Sequence, residues 1–279
     1  MAAELQETLR AGPGKAARQE VAVGASGPAP SRWTLRTIRV SVEWLTDYTL
    51  GGVWRVLHGC GLGIHGARAR MFSPDPDYLR KVRHLHRCLR DAARHPKTVG
   101  ALFLDEVGYH RWPDVAPTWG PETAVAQRAG NNQQWRTIGT LNALTGRVDY
   151  LDGYIVGRQQ VIKFYGQLNQ AYAKLDRLYV IQDNWNIHSH PDVLRAVAKY
   201  PRLTPVWLPT YSPWLNPIEK LWRWLRQDVL KMHRWVEDWP HVKQRVHDFL
   251  DQFAQGSPDL LRYVGLAGKG KLATVLNSS

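Results

Sequence analysis

The spacing of apolar and polar positions changes near residue 98. Upstream, apolar residues recur at helical intervals: Trp33, Leu35 and Ile38, then Val42, Leu45 and Tyr48, then Leu50, Val53, Trp54 and Leu57. Gly59-Cys60-Gly61 stops the last of these helices. Asp75-Pro76 is a good helix start, and Leu79, Val82, Leu85 and Leu89 follow as one stripe. Downstream, short apolar runs alternate with helical stripes. Val99–Asp105 is apolar throughout, which predicts a central strand covered on both faces. Gln134–Leu144 and Arg147–Ile155 flank Thr145-Gly146 and predict a hairpin. Gln159–Leu175 predicts a helix, Arg177–Gln182 a second buried strand, Pro191–Lys199 a short helix and Leu203–Leu208 a further strand. Asn216–Leu230 and Trp239–Phe253 predict two more helices.

Strand, hairpin, helix, strand, helix, strand, helix is the order of an α/β domain. It predicts a mixed sheet with flanking helices, of the ribonuclease H-like kind, preceded by a small helix-turn-helix module. The expected organisation has four parts. Residues 1–30, rich in Ala, Gly and Pro, read as a disordered tail. Residues 31–70 read as a helix-turn-helix-like DNA-binding module whose last helix would enter a major groove. An ordinary helical hairpin is the competing reading there, because Gly51-Gly52 weakens the start of the last helix. Residues 71–97 read as a basic linker helix, and residues 98–279 as a catalytic domain. No internal repeat is evident.

Charge narrows the partner. Of the 279 residues, 37 are Lys or Arg and 24 are Asp or Glu, a net charge of +13. Such an excess favours a polyanion, most often nucleic acid. Arg80, Lys81, Arg83 and Arg87 crowd the polar side of the 71–97 helix, and Lys220, Arg223 and Arg226 that of the 216–230 helix. Arg55 lies on the last helix of the small module. These seven cations and Arg55 are candidates for a DNA backbone, against the plainer reading of solvated helix faces. Two cysteines, Cys60 and Cys88, allow neither a zinc cluster nor a disulfide framework and fit a reducing compartment. No apolar run is long enough for a membrane span, and the N-terminus lacks the apolar core of a signal peptide.

The chemistry rests on three acids. Asp105 closes the first apolar strand, Asp183 follows the second, and Glu219 opens a helix, with thirty-five residues between the last two (219 − 183 − 1). Phosphodiester cleavage needs an activated water and relief of charge on the leaving oxygen, which two divalent ions about 3.5–4 Å apart can supply. Mg²⁺ prefers a few carboxylate oxygens, with water and phosphate completing its shell. Each acid also has an ordinary reading. Asp183-Asn184 fits a simple turn. Asn216, Pro217 and Glu219 fit a capping box, in which the glutamate only serves the helix end. Glu106 alternates to the other face of the strand and reads as a bystander. Asn184 and His188 are auxiliary candidates beside Asp183. His188 and His190 would otherwise pack locally, and the tryptophans from Trp207 to Trp239 are most simply core and loop packing.

The strings FLDE (103–106), Trp119-Gly120, VIQDNWNIHSHPDVL (180–194) and LPTYSPWLNPIEKLWRWLRQDVL (208–230) resemble the mariner-like DDE transposases, and the bacterial insertion-sequence branch most. The resemblance covers roughly residues 31–265 and is densest from residue 98. It implies a ribonuclease H-like DDE catalytic domain with Asp105, Asp183 and Glu219 as triad and as ligands of two Mg²⁺ or Mn²⁺ ions. It further implies cleavage at element ends, strand transfer by a freed 3′-hydroxyl, insertion at TA, and a homodimer on double-stranded DNA of the terminal repeats and target. A bacterial cytoplasm, at the nucleoid, is the expected location. Relatives usually carry two helical modules before the catalytic region, whereas one is legible here. A copy that only occupies element ends, and a nuclease of the same fold that cuts without joining, are the alternatives.

Overall fold

The computed structural model describes residues 2–11, 32–64, 71–118, 127 and 129–277, in two compact units, Met1–Arg70 and Met71–Ser279.

In the first unit, α1 (Ala2–Ala11), α2 (Leu35–Ser41) and α3 (Leu50–Gly59) surround a small core of Leu5, Ile38, Val42, Leu45, Val53 and Leu57. The helix at 2–11 corrects the expectation of a tail over that stretch. Leu5 and Leu9 stand one turn apart, Leu5 is fully buried, and Trp33 Nε1 donates to Leu9 O at 2.9 Å. The Ala, Gly and Pro content of residues 1–30 hides that local stripe. The rest of the expected tail lies outside the described residues. Both later helices are capped. Thr34 and Thr37 form a reciprocal capping box on α2, and Gly52 N donates to Thr49 Oγ1 at 3.1 Å on α3. The Thr49 cap offsets part of what Gly51-Gly52 costs.

The second unit is built on a five-stranded sheet of order β3-β2-β1-β4-β5, with β1 Val99–His110, β2 Gln134–Asn142, β3 Val148–Gly153, β4 Arg177–Gln182 and β5 Leu203–Trp207. β1 pairs antiparallel with β2 and parallel with β4. Side chains alternate between two cores. Ala101, Phe103, Ile181 and Val206 meet one group of helices: α4 (Tyr78–Arg94), α7 (Ile218–Leu225), α8 (Trp239–Asp251), α9 (Pro258–Val264) and α10 (Lys271–Asn277). Leu102, Leu104, Val180 and Leu178 meet α5 (Arg158–Ala171) and α6 (Pro191–Val197).

Helix α4 is no mere linker. Leu85, Cys88, Leu89 and Ala92, at the i, i+3, i+4, i+7 spacing of one face, are buried in the first of those cores. β1 runs five residues past Asp105, because its pairing with β2 continues from Asp105↔Gly139 to His110↔Gln134 after β4 has ended. The predicted 216–230 helix is α-helical only over Ile218–Leu225 and closes as a π-helical turn, Arg226–Leu230. Gly139 on β2 lets α7 lie close. A Cβ there would stand 2.8 Å from the buried ring of Trp222. No helix among the described residues is long and apolar enough to cross a membrane.

Candidate active site

Asp105 lies where the parallel partner of β1 ends. The register Phe103↔Ile181, carried on two residues, sets Asp105 beside Asp183. Helix α7 delivers the third acid. Asn216 Nδ2 donates to Leu104 O at 3.2 Å, tying the start of α7 to β1 one residue before Asp105. The Asn216 Nδ2 is used on the strand while its Oδ1 accepts no helix N–H, so α7 has no side-chain cap and the capping-box reading of Glu219 does not hold. Asp105, Asp183 and Glu219 line one open pocket of about 390 Å³, together with Asn184 and the 208–213 loop.

The acids feel one another. Burial, reinforced by Glu219, Glu106 and Asp183, pushes the Asp105 carboxyl up to about 8. Glu219 is also raised, chiefly by burial and further by Asp183, against the opposing pull of Arg223 and Arg226. No Lys or Arg lines the pocket among the described residues. Three carboxylates in one pocket, two of them raised by burial and by neighbouring acids and with no cationic side chain lining it, are a donor set suited to a hard divalent cation. They do not form a closed cage: no group of three His, Cys, Asp or Glu among the described residues converges at ligand distance.

The Asp183 loop is organised on both sides. Asp183 Oδ1 accepts from Trp185 N at 3.0 Å, so the turn reading of Asp183-Asn184 is correct and compatible with a place in the pocket. Asn184 Nδ2 donates to Leu208 O at 2.7 Å and so joins the β4 loop to the end of β5. His188 is buried, with Nε2 3.7 Å from Asp183 Oδ1 and 3.2 Å from Glu106 Oε1. Glu106 does face away from the pocket, as strand alternation requires, but it meets His188 and is not a bystander. His190 packs locally, its Nδ1 accepting from Asp192 N at 3.1 Å to cap α6.

Sequence reasoning did not single out the rim residues Trp185, Asn186, Thr210, Tyr211 and Ser212. Tyr211, 78% exposed and at φ 53°, carries the one signal that a sequence lacks, a left-handed backbone without glycine.

The basic candidates divide. Arg55, Arg83, Arg87 and Arg223 are exposed. Arg80 is exposed but forks onto Asp77. The other three have partners within the fold. Lys81 Nζ lies 2.7 Å from the buried Asp75 carboxylate, Lys220 Nζ donates to Val264 O at 2.9 Å at the end of α9, and Arg226 donates to Gly108 O at 2.6 Å and to Asp114. A helical wheel places these cations on the polar side but does not show the carbonyls and carboxylates that meet them there.

Comparison with known proteins agrees with this geometry. The family model described as DDE superfamily endonuclease matches residues 100–240, half of the chain. The insertion element IS630 uncharacterized 39 kDa protein of Shigella sonnei is 26% identical over 230 residues, 80% of this chain and 66% of that protein. The chain thus spans about two thirds of the length of that curated relative. Among solved structures, the Mos1 mariner paired end complex with Mn superposes with a TM-score of 0.59 at 16% identity, covering 99% of this chain and 76% of that one. The Mos1 transposase paired-end complex with left transposon end gives 0.58 at 15% identity, over 95% and 74%. At such identities these two show a shared fold, the ribonuclease H-like mixed sheet with flanking helices. Trp119-Gly120, part of the sequence resemblance, lies outside the described residues. With one acid within β1, one just past the end of β4 and one at the start of α7 gathered in one pocket, and a family match over all of them, the chain belongs to the DDE superfamily of endonucleases.

Proposed function

We propose that the protein is the transposase of a bacterial insertion sequence, cleaving DNA at the element ends and joining them to target DNA. The observation that carries this reading is the common pocket of Asp105, Asp183 and Glu219, in which burial and the neighbouring acids raise the carboxyls of Asp105 and Glu219. The three would hold divalent cations, Mg²⁺ or Mn²⁺ and two in number. Bound there, the cations supply an acidified water or 3′-hydroxyl and neutralise charge on the leaving oxygen. The Mos1 relatives, named as complexes with a transposon end and with Mn, support this choice of partner and ion.

The chain's own residues do the rest. Asp105, fixed by strand pairing on its β2 side, is the rigid member. Asp183 is presented by a turn that its own carboxylate closes. Glu219 arrives on a helix whose first turn Asn216 anchors to β1. Arg83, Arg87 and Arg223, exposed on α4 and α7, are suited to phosphates of a bound duplex. In the first unit α3, with Arg55 exposed, is the reading helix of a helix-turn-helix that binds the terminal repeats. Two copies pair the two ends, insertion falls at TA, and the protein works in the bacterial cytoplasm on the nucleoid.

The test is a cleavage and strand-transfer assay with paired end DNA taken from the sequence flanking the gene. Asp183→Asn should abolish both steps while DNA binding survives. Cleavage retained by that variant refutes the site. Cleavage without joining by the wild type would favour a nuclease, and binding without either would favour a silent copy.

A further inference from the structure

Beneath the acid pocket, on the opposite face of the sheet, lies a polar layer that the cleavage chemistry does not use. Glu106 projects there from β1, one residue after Asp105. Its Oε1 lies 3.2 Å from His188 Nε2, with side-chain exposures of 14% for Glu106 and 0% for His188. The same nitrogen lies 3.7 Å from Oδ1 of Asp183. The three groups face one another without the alignment of a directed hydrogen bond, and Glu106 Oε1 and both His188 ring nitrogens have no other partner among the described residues. Tyr165 and Gln182, hydrogen-bonded to each other, belong to the same face, and burial, with the Glu106 charge after it, raises the Tyr165 phenol. Buried polar groups left without partners are rare in folded proteins and call for a reason.

Connectivity supplies one. Asp183 stands just past the end of β4, its carboxylate 53% exposed and fixed by one hydrogen bond from Trp185 N. The loop then turns back, His188 N donating to Trp185 O at 2.9 Å. The Trp185 and His188 rings meet edge to face at 5.5 Å. The His188 ring is thus the inner end of the turn whose outer end is Asp183. We propose that Glu106 and His188 are positioning residues: Glu106 on β1 holds the His188 ring, and the ring fixes the Asp183 carboxylate relative to Asp105. The two neighbouring acids of β1 then divide the work, Asp105 within the pocket and Glu106 behind it. This inference rests on the proposed function, because it gives Asp183 a cation to hold. Partners standing behind metal ligands commonly change metal affinity by about 10–100-fold when removed.

The experiment is a titration of the full-length protein with Mn²⁺ alone, free Mn²⁺ being followed by electron paramagnetic resonance, beside thermal melting of the same samples. Variants are Glu106→Ala, Glu106→Gln, His188→Ala, His188→Gln and the double alanine variant. Phe164→Leu, in the core of the same face, is the control for a loss of stability alone. Expected is a rise of about tenfold or more in the Mn²⁺ half-saturation for each alanine variant. The glutamine variants should recover part of the affinity, and the double variant should be little worse than either single one, since both act through the same ring. Phe164→Leu should melt lower and bind Mn²⁺ as the wild type does. Unchanged half-saturation in the alanine variants, or an equal rise in Phe164→Leu, overturns the proposal. Should an alanine variant not fold, the glutamine pair decides on the same criterion. Wild-type binding that Asp183→Asn removes but the pair variants leave intact overturns this inference alone. Absence of saturable Mn²⁺ binding by the wild type overturns it together with the proposed function.

Discussion

Thr210 donates its backbone N–H to Asp75 Oδ2 over 2.8 Å, across 135 residues of sequence. Around this bond Lys81 Nζ reaches the same oxygen at 2.7 Å, Ser73 Oγ donates to Thr210 O, and Trp214 Nε1 donates to Tyr78 Oη at 3.3 Å. The segment before α4 thereby grips the main chain of the pocket rim from outside. Asn184 reaches the same loop from within, through Leu208 O.

Asp75 should make the second unit sensitive to acid. Hydrogen bonds from Lys81 and Thr210 hold its carboxyl well below its ordinary value near 3.8. A lowered folded pKa contributes stability that is complete above the unfolded value and is lost as pH falls below it. Asp75→Asn should therefore melt lower than the wild type at pH 6–7, and the gap should narrow progressively as pH falls below about 4. Melting curves of the two proteins from pH 7 down to about pH 2 check this; a gap that does not narrow over that range would refute it.

Asp105 should act in the opposite sense. Its carboxyl is raised from 3.8 to about 8, so its contribution is complete below pH 4 and is lost as pH rises toward 8. Without metal, Asp105→Asn should equal the wild type near pH 4 and melt higher at pH 8. Each kcal/mol regained is worth roughly 2–4 °C in a unit of this size. Mg²⁺ at pH 8 should raise the wild-type melting temperature and leave that of the Asn variant nearly unchanged. Calorimetry with and without the ion distinguishes these cases, and equal shifts in both proteins would remove Asp105 from the cation site.

The arginines should separate into two kinds. Arg226→Ala removes the charged donor to Gly108 O and should cost about 1 kcal/mol of stability, discounted for its partial exposure. Arg83→Ala with Arg87→Ala should leave melting unchanged and weaken DNA binding evenly across sequences. The slope of log K against log salt should fall by about 0.9 for each phosphate that the protein no longer neutralises. Binding isotherms at several salt concentrations give the slopes. A steeper loss for Arg226→Ala than for the Arg83/Arg87 pair would reverse the assignment.

Much of the second unit was legible because its strands are continuous apolar runs, and Asp105 and Asp183 could be placed by counting to where those runs end. The third acid was harder. Residues 216–219 satisfy both a capping pattern and a site, and only the fold decides: the Asn216 amide nitrogen bonds to Leu104 O, 112 residues away, and its oxygen caps no helix N–H. Long-range partners explain the other differences as well. Lys81, Lys220 and Arg226 look like unpartnered cations until Asp75, Val264 and Gly108 come beside them. Glu106 was placed on the correct face by alternation, but only the fold puts His188 against that face. Composition averaged over thirty residues concealed the Leu5–Leu9 stripe of α1.

Gly139 does no chemistry and touches no substrate, yet the placement of Glu219 depends on its having no side chain. Trp222 lies one turn after Glu219 on α7, and its ring occupies the space that a methyl group at 139 would need. Gly139→Ala should cost about 1–3 kcal/mol through overpacking. The displaced helix should carry the third acid away from the other two, so end cleavage should fall further than the loss of folded protein explains. Inactivating substitutions in this family member can therefore arise at a bare stretch of backbone behind the pocket, where an inventory of reactive groups would never look.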